Sequence, residues 1–210
     1  MTAPTDPHRR GLLALAVGLP LLGTGCVSLV SGTAPRRFRL ANPTSLGPEA
    51  PAVDWTLEVD NTFADPGIDT TRVAQLGANG LELQYYPEAE WPSTASDMIT
   101  ELIIQTFVDS RLIPRVGDRN SGLRPDFMLK TVLRDFQAEA GPSPNVKMTL
   151  TASLIQTPRR VQAGAERFQA NAPAASAAIE DVVRAFDKAT ERVLRDLAAW
   201  TLATGAAAQR

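Results

Sequence analysis

Histidine and cysteine are almost missing from this 210-residue chain, which has one of each, His8 and Cys26. With no histidine beyond His8, a Ser-His-Asp or Cys-His catalytic constellation is excluded. So are a His/Cys metal centre and an internal disulfide. Lysine is scarce too. Lys130, Lys147 and Lys188 are the whole supply, and no GxxxxGK[ST] loop occurs to cradle phosphates. Catalysis would fall to carboxylates or a Ser–Lys pair, and nothing in their spacing suggests either. The chain reads as a non-enzyme without a cofactor. A net charge of −2 and no basic stripe speak against a nucleic-acid partner.

The N-terminus carries what the rest lacks. His8, Arg9 and Arg10 form a basic region, and Gly11 to Leu22 is an uncharged apolar run of 12 residues. That run is too short to span a hydrocarbon core of roughly 30 Å, so it reads as an export leader. The small residues Gly23, Thr24 and Gly25 then lead into Cys26. A signal peptidase admits only small side chains before its cut, and a cysteine at the cut offers a thiol to a diacylglyceryl group. The segment resembles a lipobox, with Gly23 where an aliphatic residue is usual. The expectation is a signal peptide over residues 1–25 and a lipid attached at Cys26; the plainer alternative is an incidental cysteine after an ordinary leader. Two or three acyl chains, at about 0.8 kcal/mol per buried CH₂, hold a domain on a membrane, whereas one does not. Val27 and Ser28 offer no acidic retention signal, which favours the periplasmic side of a Gram-negative outer membrane. Arg9-Arg10-Gly11-Leu12-Leu13 also fits a twin-arginine leader, so the export route stays open.

Residues 26–53, rich in Pro, Gly, Ser and Ala, read as the lipidated cysteine and a tether. The Arg36, Arg37 and Arg39 cluster within them suits either anionic headgroups or a charge-guarded strand edge. A single globular domain is expected over 54–204, with a disordered tail at 205–210. Trp55, Leu57 and Val59 alternate with polar residues at a strand's period of two. Arg72–Leu76 and Leu81–Tyr86 follow as strands, the latter closed by Pro87. Ser93, Thr94 and Ser96 are candidate caps for a helix whose stripe is Met98, Leu102, Ile103 and Phe107, widened by Ile99, Ile104 and Val108. Gly117 to Pro125 reads as a loop. Three strands come next, Phe127–Gln137, Val146–Gln156 and Val161–Phe168. A last helix, about Ser176–Leu202, keeps Ile179, Val183, Phe186, Val193, Leu197 and Trp200 on one face. The order βββα, βββα predicts an α+β fold in two layers: a mostly antiparallel sheet of about six strands with two helices packed on one face.

Several landmarks together resemble the ABC-type transport auxiliary lipoproteins, the family of the outer-membrane lipoprotein of paraquat-inducible transport systems. They are the lipoprotein start, Ala64-Asp65-Pro66-Gly67-Ile68-Asp69-Thr70-Thr71-Arg72-Val73-Ala74, and Leu83-Gln84-Tyr85-Tyr86 followed by Trp91. Leu133-Arg134-Asp135-Phe136, the Phe168 strand and the late helix from Ala185-Phe186 to Trp200 complete the set. Glu90 departs from the pattern, which usually has a basic residue there. The resemblance implies a lipid-anchored, non-catalytic component of a system built from an ABC transporter and an MCE (mammalian cell entry) protein that moves lipids across the envelope. It further implies an MCE-domain protein as partner, docked at the outer membrane, and a ring-shaped homo-oligomer. Two other readings stay open: a carrier that binds lipid itself, and a structural lipoprotein of another envelope assembly.

Tyr85, Tyr86 and Trp91 hold three of the chain's five Tyr and Trp residues. They are the candidate partner-binding residues, since such side chains often anchor interfaces. Alternatively they close the sheet over the first helix.

Overall fold

The computed structural model describes residues 34–42 and 50–210; Cys26 and the leader lie outside them. The core begins with two long hairpins. In β8 (Asn145–Gln156), Val146, Met148, Leu150, Ala152 and Leu154 are all buried, as period-two alternation on a half-solvated sheet requires. β8 pairs antiparallel with β7 (Phe127–Glu139) on one edge and with β9 (Val161–Pro173) on the other.

The far edge of β7 is shared. β2 (Thr56–Val59), β3 (Phe63–Ala64) and β4 (Arg72–Leu76) run parallel to it, opposite Phe127–Leu129, Val132–Leu133 and Ala138–Glu139 in turn. β6 (Arg115–Asp118) extends β2 in parallel, β5 (Leu83–Glu90) pairs antiparallel with β4, and β1 (Arg36–Arg37) adds to β5 in parallel. The sheet is therefore mixed and nine-stranded, where about six mostly antiparallel strands were expected. Periodicity marks strands but carries no information on direction, and strands as short as β1 and β3 have no period to read.

Two helices complete the α+β layers. Helix α1 (Ala95–Ser110) starts where Thr94 accepts from the Asp97 amide at 3.4 Å, with Asp97 itself in the first turn. It covers β2, β3 and β6, while α2 (Ile179–Ala208) covers β8 and β9, and the helices touch. Met98, Ile99, Leu102, Ile103 and Phe107 are buried, but Val108, expected to widen that stripe, is 48% exposed. A cluster of rings welds sheet to helix: Phe136 on β7 meets Phe186 on α2 at 4.8 Å and Trp91 at 5.8 Å, and Trp91 meets Phe186 at 5.2 Å.

Both expected boundaries move outward. Residues 34–42 belong to the domain and are not free tether. β1 adds to the sheet, Leu40 is buried, Arg36 pairs with Glu180 at 2.6 Å, and the Ala41 amide donates to Asp187 at 2.8 Å. The Arg36 guanidinium thus answers a helix carboxylate at a strand edge. At the other end α2 continues to Ala208 where a disordered tail was expected, because Gly205 packs under Trp55.

Candidate functional site

The segment between β4 and α1 gathers the expected aromatic residues, and the structure separates them. β5 does not stop at Pro87. It bulges there: Arg72 pairs with Glu90 and Ala74 with Tyr85, so Val73 alone faces Tyr86, Pro87, Glu88 and Ala89. Proline lacks an amide to donate and is tolerated at such a bulge, while Glu88 takes the left-handed conformation at φ 54°. The detour reverses which side the next ring faces. Trp91, anchored by its amide to the Thr71 carbonyl at 2.6 Å, enters the core against Phe136 and Phe186 and is 1% exposed. It is removed from the surface and packs between β7 and α2.

Tyr85 and Tyr86 stay half-buried at the rim. The Tyr85 hydroxyl donates to the Gly67 carbonyl at 2.9 Å, and the Arg72 guanidinium lies over its ring at 3.5 Å from the centroid. Burial pushes the Tyr86 phenol above its ordinary range, so it stays a neutral hydroxyl.

Beside Tyr85 a groove of about 300 Å³ opens between β3, β4, β5 and β7. Phe63, Ile68, Leu76, Leu83 and Val132 form its apolar walls, with Arg134 and Asp65 at its polar margin. Arg134 is the extra residue of a second bulge, between Leu133 and Asp135. Phe63 is 66% exposed, and Leu81 in the β4–β5 turn and Leu83 at the start of β5 are exposed as well. Isolated exposed apolar residues are ordinary, but a gathered set marks a binding surface. The chemistry available is apolar contact with one guanidinium and one carboxylate beside it. Among the described residues no group of three or more His, Cys, Asp or Glu side chains is placed to hold a metal, and no helix is long and apolar enough to cross a membrane.

Residues 38–198 match the model of the ABC-type transport auxiliary lipoprotein component. The chain belongs to that family. No curated protein matches it in sequence. A DUF330-family protein from Xanthomonas campestris has a similar crystal structure, with 27% identity and a TM-score of 0.76 over 83% of this chain and 99% of that one. A second crystal structure, of an uncharacterised protein, shares the fold at 12% identity and a TM-score of 0.57, covering 84% of this chain and 99% of the other. The family makes this chain an auxiliary part of an ABC-type transport system at the bacterial envelope.

Within this auxiliary-lipoprotein fold, the groove was beyond sequence reading. Phe63 was its only signal, a large apolar residue among turn formers, and β3 had no recognisable pattern. Val132 and Leu76 read simply as strand residues; only the parallel placement of β3 and β4 along β7 brings them together.

Proposed function

We propose that this chain is a non-catalytic, lipid-anchored subunit that holds the MCE-domain protein of an ABC transport system at the outer membrane, where lipids pass along the assembly. The family match over residues 38–198 carries this reading. Cys26 bears the lipid anchor and confines the domain to the periplasmic face of the membrane. Confinement raises the effective concentration of partners there without any new contact. The partner seats in the groove of Phe63, Leu83 and Val132, beside Tyr85. Self-association into a homo-oligomer would present several such grooves together.

An affinity pull-down from crosslinked, detergent-solubilised native membranes tests it, using wild type, Cys26→Ala and Leu83→Glu. Recovery of an MCE protein with wild type is expected, reduced by Cys26→Ala and lost with Leu83→Glu. Recovery of some other assembly would refute the transport role. Undiminished recovery with Leu83→Glu would refute the groove.

A further inference from the structure

We infer that a second site, at the end of α1, binds a single-chain lipid with an anionic head. Helix α1 stops at Ser110, and Arg111 turns the chain in the left-handed conformation at φ 57°. Before β6 begins, this turn leaves an open cleft of about 550 Å³, within the range of small-molecule sites. Val108, Ile113, Val116 and Leu123 make an apolar wall, and Val108 is one of the few large apolar side chains left exposed.

The charged lining has one sign. Arg111 and Arg115 border the cleft, and no carboxylate does. Arg115 donates its Nε to the Thr56 hydroxyl at 2.9 Å, which orients the guanidinium and leaves its terminal nitrogens for an anion. Arg111 has no ion pair or side-chain hydrogen bond among the described residues. Two cations at one cleft without a counter-charge raise each other's energy, and an anionic ligand relieves that repulsion. The apolar wall calls for a hydrocarbon tail, and the cleft has room for one chain. The plainer role for these arginines is to offset the carbonyl end of α1. That role requires no apolar wall and predicts no ligand.

This site is distinct from the partner groove and does not rest on the docking reading, so either can fail alone. The test uses the full chain carrying Cys26→Ser, titrated with oleoyl lysophosphatidic acid, oleate or oleoyl lysophosphatidylcholine and read by native mass spectrometry. Saturable binding of an anionic probe is expected, with the zwitterionic one weaker. The phosphate and carboxylate arms tell which kind of head the arginines prefer. Arg111→Gly suits the left-handed backbone and should weaken anion binding about tenfold, the worth of one charge-assisted hydrogen bond. Val116→Glu should abolish it, with circular dichroism to show that each variant is folded. Equal binding of the zwitterion, or no effect of Arg111→Gly, would overturn the anionic site. No binding of any probe would overturn the cleft as a lipid site.

Discussion

Gly205 lies directly beneath the indole of Trp55: a Cβ added at Gly205 would stand 2.5 Å from Trp55 Cζ2 and 3.0 Å from Cε2. The ring cannot yield, since Trp55 is buried and meets Phe127 edge-on at 5.0 Å. Alanine in a helix gains about 1 kcal/mol over glycine, while overpacking a core costs about 1–3 kcal/mol. At 2.5 Å against a rigid ring the second term wins. Gly205→Ala is expected to lower stability by about 1 kcal/mol in urea denaturation. An increase would show that α2 does not press on Trp55.

Trp91 separates core from interface in one experiment. Burial against Phe136 and Phe186 predicts a loss of about 3–5 kcal/mol for Trp91→Ala. Trp91→Phe should retain most of the stability and the whole of partner recovery. If Trp91→Phe is stable but fails to recover the partner, the ring acts at the interface after all.

Asp135 gives the fold an acid-sensitive contact. Burial works to raise its pKa, but the Thr149 hydroxyl nearby, the amide of Gln137 donating at 3.2 Å and the Lys147 ammonium, 3.3 Å away, outweigh it and hold the carboxyl below the ordinary aspartate value. A depressed folded-state pKa contributes stability that is present above the unfolded value and is lost as pH falls through the folded one. Asp135→Asn should therefore destabilise by up to about 1 kcal/mol at pH 7, as expected for a partly exposed pair. The difference from wild type should shrink below about pH 4, near the unfolded aspartate value. A constant difference from pH 7 to pH 3 would show that packing, and not charge, sets the cost.

The segment before the domain's expected start is tested by Leu40. Its burial beside the Ala41–Asp187 hydrogen bond predicts about 2 kcal/mol lost for Leu40→Ala, the low end for a buried leucine. A change below about 0.5 kcal/mol, typical of surface positions, would return residues 34–42 to the tether. Burial and the Glu191 charge raise the Asp187 pKa, against the donated Ala41 amide. Asp187→Asn keeps an acceptor for that amide and removes the charge, so it should not lower the melting temperature at pH 7.

Local order was legible in the sequence because it depends on neighbours along the chain. The alternation in β8, the start of α1 within Ser93, Thr94 and Ser96, the helical stripe of Met98, Leu102, Ile103 and Phe107, and the apolar face of α2 are set by residues two to four positions apart. The sequence by itself also determined which side chains any site can draw on, since a chain whose one histidine is His8 and whose one cysteine is Cys26 offers no others in any fold. Tertiary structure decided the rest. Direction and adjacency in a sheet come from partners far apart in sequence, so only the fold could lay β2, β3 and β4 one after another along the same edge of β7 and make Phe63, Leu83 and Val132 neighbours. A bulge of four residues against one sent Trp91 into the core and left Tyr85 at the rim. The ring's destination was set by which side of the sheet it emerged on, a property of strand pairing that residue spacing does not encode.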